Sequence, residues 1–90
     1  MRYQLIARWM SPPTSTYYQH IAYVKWHANG AIGTCTRQQM VASIEGVDTA
    51  FVQGRGHHSE VGVYIENGIK YLRSHANGYY DDNLLALPTF

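Results

Sequence analysis

Arg73 sits between Tyr71 and His75 in an alternating stretch of a 90-residue chain, and it is the cation best placed to do chemistry. Two dipeptides fix what lies opposite it. Asn67-Gly68 and Asn77-Gly78 both tolerate the positive φ that a two-residue type I′ hairpin turn needs. With both turns in place, Tyr64 lies opposite Tyr71, Gly62 opposite Arg73, Arg73 opposite Asp82 and His75 opposite Tyr80. Directly opposed residues share a face, so one face of the predicted ribbon carries Tyr64, Tyr71, Arg73, His75, Tyr80 and Asp82. Val63, Ile65 and Leu72 fall on the other face and are expected to pack on the core. Gly62 leaves an opening beside Arg73. An arginine held by an aspartate and flanked by tyrosine rings suits a phosphate and a stacked base, because guanidinium makes forked hydrogen bonds and every base has a π-face. The competing reading is an exposed Arg73–Asp82 pair worth under about 1 kcal/mol, among tyrosines that are ordinary strand formers.

The remaining chemistry-bearing residues are scattered. His57-His58 are adjacent, and His20, His27 and His75 lie elsewhere, so neither a His-x₃-His nor a Cys-x₂-Cys spacing exists for a metal. Gly54-Arg55-Gly56 offers backbone amides to an anion, but a short glycine turn between two strands is more often only a turn. Cys35 stands just before a predicted helix start, where a dipole lowers a thiol pKa, yet no partner base is marked. No Ser-His-Asp order, catalytic carboxylate pair or phosphate loop can be picked out. The sequence therefore reads as a non-enzyme without cofactor or metal.

Composition narrows the partners. Seven Lys or Arg against six Asp or Glu leave a net charge of +1, which speaks against a protein that coats nucleic acid. Eight Tyr and five His equal the charged residues in number, so much of the polar work falls to amphipathic rings suited to pockets and interfaces. With Cys35 as the only cysteine, no disulfide can staple the monomer. Neither a membrane span nor a signal peptide is recognisable, and a cytoplasmic location is expected.

The elements that must position Arg73 follow from periodicity. Tyr3 to Met10 alternates with apolar groups on both faces and reads as a central strand, and Ser11-Pro12-Pro13 breaks it. Ile21 to Trp26 reads as a second strand ending at Asn29-Gly30. Thr36 and Gln39 form a capping box, so the one helix is expected over Arg37 to Glu45 with Gly46 as its C-cap. Thr49 to Gln53, Glu60 to Glu66 and Ile69 to His75 complete a β-β-α-β-β-β order. The expectation is one α+β domain over residues 1–90, with a mostly antiparallel sheet of about five strands and one short helix. His-Ala-Asn-Gly occurs at 27–30 and again at 75–78, which reads as two similar turns. A five-stranded sheet is roughly 24 Å wide, while a ten-residue helix is about 15 Å long and 10 Å across. One helix cannot cover it. The rest must be covered by the Leu84 to Phe90 tail, by the Pro12 to Tyr18 loop, or by another copy. A homo-oligomer is therefore expected, with Trp9, Tyr17, Tyr18, Tyr23 or Trp26 at its interface.

On the segments Thr36 to Val41, Ile44-Glu45, Val61-Gly62-Val63, Lys70 to Arg73, Gly78 and Asp82-Asn83-Leu84-Leu85-Ala86-Leu87-Pro88, the chain resembles a known family. It looks like the small, uncharacterised bacterial and phage domains that end in Asp-Asn-Leu-Leu-x-Leu-Pro, with the likeness running from about Ile21 to Phe90. The resemblance implies that Arg73, Gly78, Asp82 and Asn83 belong to the family pattern, and it carries no reaction. Two functions are expected from residues and resemblance together. One is a non-catalytic protein, phage or bacterial, that sequesters a nucleotide-derived signal as an anti-defence device, acting in the host cytoplasm if viral. The other is an anti-defence inhibitor that occludes a host complex through its Tyr/Trp surface.

Overall fold

The computed structural model describes residues 1–54 and 56–90, so Arg55 and the anion-turn reading of Gly54-Arg55-Gly56 lie outside the described residues. Among the described residues the chain forms seven strands and one α-helix: β1 (Arg2–Met10), β2 (Ile21–Ala28), β3 (Ala31–Thr36), α1 (Arg37–Glu45), β4 (Thr49–Gln53), β5 (His58–Glu66), β6 (Ile69–Ala76) and β7 (Tyr79–Asp81). A single 3₁₀ turn, Tyr18–His20, precedes β2. The strands make one sheet in the order β3-β2-β1-β4-β5-β6-β7. All neighbours are antiparallel except β1 and β4, which pair in parallel at Arg2 to Gln4.

This corrects the expected five-stranded antiparallel sheet. The two strands beyond that count are β3 and β7; the Asn77-Gly78 register already expects β7 as the third arm of the ribbon, over Tyr79 to Asn83, and the missed feature is the Asn29-Gly30 turn acting as a hairpin. Asn29, Asn67 and Asn77 have φ of 49°, 53° and 54°, each followed by a glycine at positive φ. All three are the same kind of tight turn, and β3 is the returning arm of the first. The two His-Ala-Asn-Gly segments are indeed two similar turns.

The helix forms where its caps predict. Thr36 Oγ1 accepts from the Gln39 amide at 3.1 Å, and Gln39 Oε1 accepts from the Thr36 amide at 2.9 Å. Two of the orphan donors at this end are thereby satisfied. The Gly46 amide closes the other end on the carbonyls of Ala42 and Ser43.

Coverage of the sheet is solved by curvature. A flat seven-stranded sheet with one helix on it would be roughly 34 Å wide and 20 Å thick, whereas the principal extents are 32 × 28 × 28 Å. The sheet curls into a half-barrel around α1. Two register shifts in the β1–β2 pair, between Leu5 and Ala7 and between Trp9 and Met10, supply bends of the kind that bulges introduce. Met40 and Val41 of α1 join Leu5, Met10, Ile21, Val24, Ala50, Val52, Val61 and Leu72 in one buried cluster. The tail adds Leu84, with Leu85 and Leu87 packed beside it. It then runs along the second half of β1, where the Arg8 amide donates to the Pro88 carbonyl and the Phe90 amide to the Arg8 carbonyl. The geometric reason for a covering second copy, a flat and half-bare sheet, does not hold.

Two side chains fall on unexpected sides. Ile65 is 61% exposed beside the Asn67-Gly68 turn of the β5–β6 hairpin rather than in the core. Trp26, expected at an interface, is half-buried: its ring lies against Gly33 of β3 and meets Tyr3 edge-on at 5.0 Å. Trp9, Tyr17 and Tyr23 are exposed.

Candidate functional site, an arginine among tyrosines

The β5–β6–β7 ribbon is held in register by its two Asn-Gly turns. Tyr64 pairs with Tyr71, Gly62 with Arg73, and His75 with Tyr80. The tyrosine rings on this ribbon close on one another. Tyr64 meets Tyr80 edge-on at 5.5 Å, and His75 meets Tyr80 at 6.5 Å. A ring from outside the strands completes the cluster. Tyr18, carried in by the 3₁₀ turn, meets Tyr64 at 5.8 Å and Tyr71 at 5.6 Å, both edge-on. Its hydroxyl donates to Glu66 Oε1 at 3.3 Å, and Gln19 Nε2 donates to the same oxygen at 3.2 Å. Burial and the Glu66 carboxylate together push the Tyr18 phenol up, so it stays a neutral donor. Tyr18, expected at an oligomer surface, thus packs into this cluster within the chain.

Arg73 is the centre of the cluster. Its guanidinium carbon lies 3.9 Å from the centre of the Tyr80 ring, 4.6 Å from Tyr18 and 4.9 Å from Tyr64. Among the described residues no carboxylate pairs with it. The expected Arg73–Asp82 pair is therefore absent there. β7 ends at Asp81, its ladder to β6 stops at the Ser74–Asp81 pair, and Asp82 turns out into solvent. Beside Gly62 lies the His75 imidazole, which a Cβ there would approach to 3.3 Å. The rings hold the guanidinium by cation–π attraction, and among the described residues its N–H groups have no ion-pair partner.

The surface around Arg73 is shallow. A gap of about 20 Å³ beside Tyr18, Arg73, Ser74 and Asp82 has room for one water and no ligand. Next to it, a hollow of about 230 Å³ is lined by His75, Gly78, Tyr79 and Tyr80. Tyr80 belongs to both the hollow and the arginine cluster.

The conspicuous acid of this region is Asp81, which sequence reasoning passed over. Ser74 Oγ donates to Asp81 Oδ1 at 2.6 Å, Ser59 Oγ donates to Oδ2, and the Asn83 amide donates to Oδ1 at 3.0 Å. Asn83 Nδ2 donates onward to Ser59 Oγ at 2.7 Å and approaches His57 Nε2 at 3.4 Å. Asn83 is thus part of the Asp81 network and is not brought to the arginine cluster. Burial pushes the Asp81 carboxyl up, but the two hydroxyls and the Asn83 amide outweigh it and hold the group below the usual carboxylate range. The missed signal is the pair of serines: Ser59 and Ser74 fall in step with core residues Val61 and Leu72 and are both buried, so each needs a polar partner. This network borders an open groove of about 710 Å³ between the β4–β5 turn and the tail.

Among the described residues no three His, Cys, Asp or Glu side chains converge. Burial pushes the Cys35 thiol up, away from the thiolate a nucleophile needs. No helix is long and apolar enough to cross a membrane.

Fold and site together define a small curled-sheet domain that wraps one helix and displays an arginine stacked among tyrosines. The chain belongs to the DUF3892 family, proteins of unknown function, whose model matches residues 14–88. Neither a curated protein nor a solved structure matches it.

Proposed function

We propose that this domain is a non-catalytic binder of a phosphorylated nucleotide, with Arg73 receiving the phosphate and the hollow at His75, Tyr79 and Tyr80 receiving the base. One observation carries the reading: the Arg73 guanidinium lies over three tyrosine rings and faces no carboxylate among the described residues. An arginine held by ring faces alone keeps its five donors free for a ligand, which an anion receptor requires. Tyr79 and Tyr80 are 78% and 53% exposed beside the hollow, which leaves their faces open to stack. The family resemblance implies a phage or bacterial setting, in which withdrawal of a nucleotide signal would suit a binder with no chemistry attached.

Titration with AMP, followed through the backbone amide resonances, tests this. Shifts centred on β6 and β7 are expected, and Arg73→Lys, which keeps the charge but loses the fork, should weaken binding about tenfold. Shifts that are absent at millimolar AMP overturn the reading.

A second copy is the partner this reading assigns to the outer aromatic patch, where Trp9 and Tyr23 are paired neighbours and Phe90 meets Trp9 edge-on at 6.3 Å. Light scattering checks it, because the monomer weighs 10.2 kDa. A mass of one chain at high concentration removes the second copy.

A further inference from the structure

Arg37, the first residue of α1, is a second arginine with no carboxylate partner among the described residues. Its Nη1 donates to the Gln19 carbonyl at 3.3 Å, while its Nε is buried with no partner at all. The guanidinium carbon lies 5.1 Å from the centre of the Tyr71 ring. Tyr71 touches Tyr18, and Tyr18 carries Arg73 at 4.6 Å. The two unpaired cations therefore flank one pair of touching rings. Arg37 lines one hollow, and Tyr80, the ring nearest Arg73, lines another of similar size. The one at Arg37 measures about 270 Å³ and is bounded by Gln19, His20, Tyr23 and Thr36. The one reached from Arg73 through Tyr80 measures about 230 Å³.

An arginine with a hollow thus occurs twice, directly at Arg37 and through the Tyr80 ring at Arg73, and a tyrosine pair bridges the two. From this repetition we infer that the ligand is a dinucleotide, with one phosphate on Arg73, one on Arg37, and a base in each hollow. The inference rests on the reading of Arg73 as a phosphate receptor and adds the second half of the ligand. A nucleoside monophosphate has one phosphate and one base, and would leave Arg37 and its hollow empty. A dinucleotide repeats the phosphate and base at the same count as the protein repeats cation and hollow. Both positive groups are then neutralised, whereas one phosphate could fork to only one of two guanidiniums that a ring pair holds apart. The hollow at Arg37 also offers Ser11, Gln19 and His20 for hydrogen bonds to a base edge, a polar complement to the aromatic hollow at Tyr79 and Tyr80.

Calorimetric titration of the protein with AMP and with the 5′-phosphorylated dinucleotide pApA tests this. The wild type should bind pApA at least tenfold more tightly than AMP, and Arg37→Gln should bring that ratio to near one. Arg37→Lys keeps the charge and the fold of the first helical turn, so it should give an intermediate ratio. A wild-type ratio near one, or the full ratio kept in either variant, overturns the dinucleotide while leaving the Arg73 reading in place. A wild type that binds neither probe overturns both.

Discussion

Ser74 Oγ lies 2.6 Å from Asp81 Oδ1, a buried hydroxyl on β6 donating to the last residue of β7. The same hydroxyl accepts from the Leu84 amide at 3.1 Å, so this one contact ties the short edge strand to the start of the tail. The tail matters because Leu84 is fully buried in the core cluster. Asp81→Asn keeps the shape and removes the charge that three donors share. A hydrogen bond to a charged group contributes about 1.5–3 kcal/mol, and part of it survives in the amide. Urea unfolding should show a loss of about 2 kcal/mol with an unchanged slope. A loss below about 0.5 kcal/mol would mean the network is decoration.

The same network sets an acid dependence. The Asp81 carboxyl sits below its ordinary range in the folded state, so its contribution is complete above that range and is lost as the pH falls through the folded value. Glu60, lowered by its hydrogen bond from Arg2, has the same sign but is well exposed and should add little. Melting temperature should therefore decline as the pH falls from roughly 5 to 2. The gap between wild type and Asp81→Asn should close over that window. A gap that stays constant would place the acid sensitivity elsewhere.

Gly54 makes the approach of Asn83 possible. A Cβ at residue 54 would collide with the Asn83 side-chain amide, which is itself pinned by Ser59. Gly54→Ala should cost roughly 1–3 kcal/mol, the range for overpacking a fitted site. Asn83→Ser alone loses the bond to Ser59. In the double variant the collision is gone, so the two losses should sum to more than the double variant shows, a non-additivity of at least about 0.5 kcal/mol. Strict additivity would mean that the collision is relieved by backbone movement instead.

Local signals made part of this legible. The Thr36–Gln39 capping box fixed the helix to the residue, and the Asn-Gly turns placed Tyr64, Tyr71, Arg73, His75 and Tyr80 in register, because both are rules about neighbours in the chain. The same turn rule, applied to Asn29-Gly30 as it was to the other two, would have yielded β3. What short-range rules could not supply were the long-range meetings. Tyr18 comes to Arg73 from 55 positions away through a 3₁₀ turn with no periodic signature. The parallel β1–β4 pairing and the curl that lets one helix fill the sheet depend on strands distant in sequence. Asp81 and Asp82 are chemically identical on paper, and only the two buried serines decide which of them is drawn in.

Tyr80 separates the structural from the binding role of the arginine cluster. Its ring is the nearest of the three to the Arg73 guanidinium, yet it is 53% exposed. An exposed cation–π contact is worth about 0.5–1 kcal/mol, so Tyr80→Leu should lower stability by no more than that. Binding should suffer more, because Tyr80 both steadies the arginine proposed to receive the phosphate and walls the neighbouring hollow. Loss of a stacking ring costs about 1–3 kcal/mol per base, which corresponds to a fivefold to hundredfold weaker affinity for AMP. Tyr80→Phe keeps the ring and should retain most of the affinity. The decisive pattern is a large fall in affinity beside a small fall in melting temperature. The reverse pattern, a large stability loss with AMP affinity intact, would make the tyrosines a packing device and Arg73 their filler.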